Sequence, residues 1–179
     1  QSAATQQPLP KFHVVVLFED SALRDRAALT LDRLATKLGT ELEFEVEQWR
    51  FDSLPDPHFA WDATESAVHA DAIVFAMHDG HDAPATIRNW VETWADSREV
   101  ESGAIVGMIG LQGSPAAWVS PRHHFLRHLA ERAHMDYLPE GFFNPDEVSA
   151  AAMHKIIEKT DAVTTVLKEI LDHPHYTLH

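Results

Sequence analysis

Three short polar segments each follow a continuous apolar run, and together they hold the side chains best suited to chemistry. The apolar runs are residues 12–18, 72–77 and 104–111. The candidate site residues that follow them are Glu19, Asp20, Ser21, His78, Asp79, His81, Gln112, Ser114 and Trp118. A continuous apolar run is typical of a strand buried on both faces of a parallel sheet. Because ligands bind outside the carboxyl ends of such strands, we expect these residues to line one crevice.

The second polar segment has the composition of a metal site. His78, Asp79 and His81 bring two imidazoles and a carboxylate close together in the chain, and these donors suit Zn²⁺, Mn²⁺ or Fe²⁺. A His-x-x-His spacing in a loop can present both rings to one ion. The alternative interpretation is a solvated acidic turn, in which the aspartate and Gly80 serve the backbone conformation.

Nucleophilic serine chemistry has little support in the sequence. Ser21, Ser114 and Ser120 all lie outside any Gly-x-Ser-x-Gly turn. Ser120 followed by Pro121 instead predicts a helix start, with the serine as N-cap. That helix is expected to run to about residue 133. Its predicted buried residues are Phe125, Leu129 and, as a further candidate, His128.

Apolar runs alternate with amphipathic segments along the chain, which is the pattern of a parallel α/β sheet. The predicted strands are residues 12–18, 42–49, 72–77, 104–111 and 135–138. The predicted helices are residues 22–38, 59–69, 84–94, 121–133 and 145–171. We therefore predict an α/β fold, a three-layer αβα sandwich around a five-stranded parallel sheet in the order 2-1-3-4-5. Residues 11–172 would form this single domain, with residues 1–10 a disordered leader and 173–179 a flexible tail.

Local features predict how these elements begin and pack. Ser21 is the expected N-cap of the first helix. Gly107 and Gly110 in the fourth strand are expected to allow close helix packing. The second strand alternates in polarity, which marks an edge strand protected by outward charges. Its outward face is predicted to be Glu43, Glu45 and Glu47, and its inward face Leu42, Phe44 and Val46.

The composition excludes several classes of function. The formal net charge is −14 and the sequence pI is about 5.2, so the overall field disfavours nucleic acid and anionic membranes as partners. The chain has no cysteine, which excludes disulfides, thiolate catalysis and cysteine-based metal sites. No apolar run approaches the length of a membrane span, and we expect a cytoplasmic protein.

The segment from Asp71 to Trp94 resembles a stretch of the flavodoxin-like superfamily, and within it of NADPH-dependent FMN reductases. The likeness lies in the apolar strand, the loop, Pro84 and the Ile-Arg-Asn-Trp sequence of residues 87–90. The chain is also similar to uncharacterised bacterial flavodoxin-like proteins that share a Glu-Asp end to the first strand and a Trp-x-Phe-Asp stretch, here residues 49–52. The resemblance implies a flavodoxin-like fold, FMN as cofactor and NAD(P)H-dependent oxidoreductase activity.

One position departs from the pattern of that superfamily. Its members hold the FMN phosphate in a loop after the first strand, where backbone N–H groups and a helix dipole face the anion. This chain has Glu19 and Asp20 there, and two carboxylates repel a phosphate dianion. The leading interpretation is therefore a flavodoxin-like binding or protein-interaction protein without a standard FMN phosphate loop, with no cofactor favoured.

Two alternatives stay open, an FMN-dependent NAD(P)H oxidoreductase and a divalent-metal-binding protein. We expect a homo-oligomer or a protein partner, with Trp118 and the C-terminal helix as candidate contact surfaces.

Overall fold

The computed structural model describes residues 8–38, 42–98, 100, 102–110, 120–140 and 170–172. The strands are β1 (Lys11–Phe18), β2 (Glu43–Arg50), β3 (Ala72–Met77), β4 (Ala104–Ile109) and β5 (Asp136–Pro139). The helices are α1 (Ser21–Leu38), α2 (Pro57–His69), α3 (Ala85–Val91) and α4 (Pro121–Arg132), with 3₁₀ turns at Phe51–Ser53 and Ala95–Ser97.

All neighbouring strands pair in parallel, in the order β2-β1-β3-β4-β5. This is the predicted flavodoxin-like order, and the predicted α/β fold class is confirmed. Every residue of β3 and β4 is buried, as their unbroken apolar runs indicated, because helices cover both faces of the central strands.

Two apolar clusters lie on opposite faces of the sheet. One is formed with α2, α3 and α4, and it contains the largest buried side chains, among them Trp94 and Phe75. The other is formed with α1 and the helical residues Ile170–Asp172, whose Ile170 and Leu171 are each 2% exposed. The rest of the predicted C-terminal helix lies outside the described residues, as do residues 1–7 and 173–179.

The edge strand β2 is only partly covered. Its residues are all exposed or half-buried. Phe44 packs against the α1-side cluster, whereas Val46, predicted to face inward, is 41% exposed. An edge strand has a neighbour on one side only, so alternation in its sequence does not guarantee burial of the apolar face.

The caps of two helices match the sequence pattern. Asp56 accepts a hydrogen bond from the backbone N–H of His58 (2.9 Å) ahead of Pro57, and Ser120 accepts one from the N–H of Arg122 (3.3 Å) ahead of Pro121. Each cap satisfies an N–H group that has no partner within the helix. None of the helices in the described parts of the chain is both long and apolar enough to span a membrane.

The expected role of Gly107 is wrong. A Cβ atom there would overlap the hydroxyl group of Tyr137 on the neighbouring strand β5, so this glycine makes room for a cross-strand side chain and not for a helix. Gly110, just after β4, has φ +67°. A left-handed conformation of this kind favours glycine, and it turns the chain at the end of the strand.

Candidate functional site

The loops after β1 and β3 meet at the carboxyl edge of the sheet. The backbone N–H of Glu19 donates to the carbonyl of Ala76 (3.0 Å), and the N–H of His78 donates to Oε2 of Glu19 (2.8 Å). The strand order makes β1 and β3 neighbours, so two segments separated by about 60 positions in the chain share one crevice.

Asp20 caps helix α1. Its Oδ1 accepts from the backbone N–H of Leu23 (3.0 Å), and its carbonyl accepts from the N–H of Arg24 (3.0 Å). The prediction that Ser21 is the cap is therefore wrong: Ser21 is the exposed first residue of the helix. The bond from Leu23 is the largest cause that lowers the pKa of Asp20, and the side chain of His78 lowers it further. A carboxylate suits this position because it faces the positive end of the helix dipole.

Asp20 and His78 also form a pair at the mouth of the crevice. Oδ2 of Asp20 lies 2.5 Å from Nε2 of His78, with 39% of the aspartate side chain and 58% of the histidine side chain exposed. Both groups are therefore reachable from solvent.

Arg122 of α4 links both loops, and the sequence analysis missed it. Its Nη1 donates to Oε2 of Glu19 (3.2 Å) and to the carbonyl of His78 (2.6 Å), and its Nε donates to the carbonyl of Asp82 (3.0 Å). Only 12% of its side chain is exposed. Gly80 makes room for it, since a Cβ there would lie 2.8 Å from Nη2 of Arg122. The acidic loops offered a signal, because an acidic pair held at a strand end needs a neutralising group. Arg122 and Glu19 are so far apart in the chain that no spacing motif indicates their contact.

A buried polar network lies behind Asp79. Oδ1 of Asp79 accepts from the N–H of Gly80 (2.8 Å), and a hydrogen bond from Ser120 is the main cause that lowers the pKa of Asp79. His123 hydrogen-bonds the hydroxyl of Tyr137 through Nδ1. Burial lowers the pKa of His123 to about 4, so its ring is neutral at pH 7.

The expectation that His128 is buried is wrong. The side chain of His128 is 72% exposed and lies 3.8 Å from Glu131. The first turn of α4 instead buries His123, which is 4% exposed. That turn faces β4 and β5, where the ring of His123 hydrogen-bonds the hydroxyl of Tyr137.

A second arginine, Arg26 of α1, stabilises the other end of the same edge. Its Nη1 donates to the carbonyl of Gly110 (2.6 Å), and its Nη2 pairs with Glu140, whose side chain is 3% exposed. Arg26 therefore ties together the residues that follow β4 and β5. Like Arg122, it comes from a helix and contacts residues far away in the chain.

Of the remaining predicted site residues, the structure describes only His81. His81 lies exposed in the loop after β3, and Gln112, Ser114 and Trp118 lie outside the described residues. Within the part of the chain that the structure describes, no three His, Asp or Glu side chains are arranged to hold a metal ion. His78 turns to Asp20 and Asp79 turns to Gly80 and Ser120, so the geometry gives the metal hypothesis no support.

The residues at the end of β1 do not fit FMN held by its phosphate. The backbone N–H of Leu23 is bonded to Asp20 and the N–H of His78 is bonded to Glu19, so carboxylates of the protein already use donors that would face an anion. A phosphate dianion would meet both negative charges at short range. The mismatch expected from the sequence is therefore reinforced by the geometry.

Comparisons with known proteins bear on the fold. A scan against protein-family models found no match, and a search of curated proteins found none either. Among solved structures, the chain is similar to an oxidoreductase from Corynebacterium diphtheriae, with a TM-score of 0.57 and 12% identity over 88% of this chain and 98% of that one. It is also similar to an FMN-dependent NADH-azoreductase from Bacillus anthracis, solved in complex with FMN, with a TM-score of 0.51 and 10% identity over 89% of this chain and 100% of that one.

At these identities the likeness shows the fold alone. The strand order and the solved neighbours agree, so the chain is an α/β protein with the flavodoxin-like fold.

Proposed function

We propose that this chain is a flavodoxin-like binding protein whose crevice takes a ligand or partner without an FMN phosphate contact. One observation carries the proposal: Glu19 and Asp20 place carboxylates on backbone donors at the end of β1 and the start of α1. A helix N-terminus is a ready-made anion site only while its N–H groups and dipole face the anion. In this chain the carboxylate of Asp20, which belongs to the protein itself, occupies the position of the anion at the start of α1.

The chemistry of the crevice favours a neutral or cationic ligand. Among the described residues, its solvent-accessible polar groups include the carboxylate of Asp20 and the imidazole of His78, which accept or share hydrogen bonds. The nearby cation, Arg122, already donates to Glu19 and to two carbonyls. A ligand that donates hydrogen bonds therefore finds partners, whereas a polyanion finds negative charge.

FMN and riboflavin titrations test the proposal, followed by quenching of flavin fluorescence. The two flavins differ only in the phosphate group, so their affinity ratio reports a phosphate contact directly. We expect the wild-type protein to show no preference for FMN. The double variant Glu19→Ser/Asp20→Thr removes both carboxylates, and we expect it to gain a preference for FMN of about tenfold, as one charge-assisted anion contact allows.

The matched control is Asp25→Ser/Asp32→Thr, which removes two exposed carboxylates from the same helix. It changes the net charge by the same amount and should leave the affinity ratio of the two flavins unchanged. Wild-type protein that binds FMN at least tenfold more tightly than riboflavin would sink the proposal.

The second candidate is an FMN-dependent NAD(P)H oxidoreductase, favoured by the fold likeness to the FMN-dependent NADH-azoreductase. In that case the protein would hold the flavin through contacts other than the loop after β1. The discriminating observation is cheap, because a flavoprotein is yellow after purification. NADH oxidation that requires added FMN would favour this candidate over the first.

Subcellular location and assembly belong to the same proposal. We expect a cytoplasmic protein that is a homo-oligomer or is bound to a protein partner. Exposed apolar side chains support the assembly expectation: Leu29 is 53% exposed, Phe59 43% and Trp61 66%. Native mass spectrometry of freshly purified protein measures subunit number and any bound mass together.

A further inference from the structure

A groove runs between α2 and the edge strand β2, near the amino-terminal half of the sheet and away from the crevice. Small residues form the buried side of α2, with Ala63 and Ala67 both 0% exposed. The helix therefore packs closely on the sheet, but β2 beside it stays exposed or half-buried. The cavity between them has a volume of about 280 Å³. We call this cavity the α2–β2 groove. It is lined by Glu45, Glu47, Glu65, Ser66, His13 and His69 and by the buried strand residues Val14 and Val15.

The register of the strands explains this lining. In the parallel pair of β1 and β2, His13 is opposite Glu45 and Val15 is opposite Glu47. Residues two apart in a strand point to the same face, so Glu45 and Glu47 of β2 stand in a row beside His13 and Val15 of β1. Their spacing along the strand is about 6.7 Å.

Positive charge within the groove is too small to balance these carboxylates. Glu45 pairs with Lys11 and lies 3.0 Å from His13, and Glu47 bonds the hydroxyl of Ser66. The hydrogen bond and the charge of Lys11 lower the pKa of Glu45, which favours its ionised form. Glu65 is exposed, and within the described ranges no side chain pairs with it.

An aromatic pair extends the same face beyond the carboxylates. Trp49 follows Glu47 by two positions on β2, and Phe59 precedes Ser66 by about two helical turns on α2. The two rings contact edge to face with centroids 6.3 Å apart, and Phe59 is 43% exposed. The groove therefore has carboxylates at one end and a partly exposed aromatic ring at the other.

We propose that the α2–β2 groove docks an extended, basic segment of a partner protein, with lysine or arginine at alternating positions and an apolar side chain at one end. An extended chain repeats its side chains on one face at the same spacing as the glutamates of β2. Alternating cations therefore meet Glu45 and Glu47 in register, and the apolar side chain meets Phe59. A second copy of this chain is disfavoured as the occupant, because each copy carries a net charge of −14.

Isothermal titration calorimetry with a defined peptide tests the proposal. The probe is a seven-residue peptide with lysine at its first, third and fifth positions, leucine at the seventh and threonine between them. The control peptide has glutamate in place of each lysine. Wild-type protein should bind the lysine peptide only, and salt should weaken the binding.

Variants of the full chain locate the site. Glu45→Gln/Glu47→Gln/Glu65→Gln should weaken binding of the lysine peptide about tenfold, since each exposed ion pair contributes modestly. The matched control removes three exposed carboxylates elsewhere, as Asp25→Asn/Asp32→Asn/Glu131→Gln, and should bind like wild type. Phe59→Ala should weaken binding of the leucine-ended peptide severalfold and leave an alanine-ended peptide unaffected.

Three results would overturn the proposal. The first is that both peptides bind equally well, and the second is that the triple variant binds the lysine peptide with wild-type affinity. The third is that spermidine binds as tightly as the lysine peptide, which would make the groove a general cation site. Circular dichroism and thermal melting check that the variants are folded. If the triple variant is unfolded, Glu65→Gln alone keeps the test decisive, because no described side chain depends on Glu65; it should weaken binding about twofold.

Discussion

Arg122 is the side chain on which the crevice most depends, and replacing it by methionine tests this directly. The substitution keeps much of the apolar stem and removes three hydrogen bonds, to Glu19 (3.2 Å) and to the carbonyls of His78 (2.6 Å) and Asp82 (3.0 Å). A bond that involves a charged group contributes about 1.5–3 kcal/mol. The two carbonyls belong to an exposed loop and can turn to water, which offsets part of the loss. We therefore expect Arg122→Met to lower the free energy of unfolding by about 2–4 kcal/mol.

Urea denaturation measures this loss, with the slope of the transition as a check that unfolding stays two-state. Hydrogen exchange locates it, because residues 78–82 should lose protection while the α2 side of the fold keeps its own. Arg122→Lys should recover only part of the stability, since one ammonium group cannot span three acceptors in fixed geometry. Arg24→Met is the control, because Arg24 is exposed and makes only a hydrogen-bonded ion pair with its chain neighbour Asp25 and a cation–π contact with Phe18 among the described residues. A loss below about 1 kcal/mol for Arg122→Met, or full recovery with lysine, would refute the reasoning.

Three further predictions concern the buried residues Arg98, Asp136 and Gly107. Arg98→Met should cost about 3–5 kcal/mol in urea denaturation, since the guanidinium donates four bonds of 2.6–3.2 Å to carbonyls at the end of α2 and before β4; a loss under about 1 kcal/mol would contradict this. Burial raises the pKa of Asp136 to about 6, so the folded state holds its proton longer than the unfolded state and this group weakens the fold as pH rises from about 4 to 6. Asp136→Asn should therefore be more stable than wild type by up to about 3 kcal/mol at pH 7 and equally stable near pH 4. Urea denaturation midpoints across that pH range measure the difference. A stability advantage that does not depend on pH would count against the prediction. Gly107→Ala should destabilise the protein by about 1–3 kcal/mol because the new methyl group overlaps Tyr137. The loss of stability should be smaller in a Tyr137→Phe background. Equal losses in both backgrounds would show that the overlap is not the cause.

Part of the site was within reach of sequence reasoning. Continuous apolar runs predicted β3 and β4, and the position of polar residues after each strand predicted that Glu19, Asp20, His78 and Asp79 share an edge. The structure brings Glu19, Asp20 and His78 together, and Asp79 follows His78 in the same loop. The acidic end of β1 also led us to expect no standard FMN phosphate loop, which stays a prediction. These inferences rest on local pattern, and local pattern is what a single sequence carries.

Other features depended on contacts between distant segments. Nothing near Arg122 in the sequence indicates that it reaches Glu19 from α4, and nothing near Gly107 indicates that it makes room for Tyr137. Asp20 and not Ser21 accepts the capping hydrogen bond from Leu23, and its other carboxylate oxygen contacts His78, which is far away in the chain.

The sequence by itself determined the order of elements, the buried central strands and the acidic character of the crevice, because hydrophobic period and residue type act over a few neighbouring positions. Only the tertiary structure decided which charges neutralise one another, which histidine of α4 is buried and which face of β2 stays open. Those outcomes depend on the packing of side chains from helices and strands that are far apart in the chain, and a hydrogen bond between such side chains leaves no spacing in the sequence.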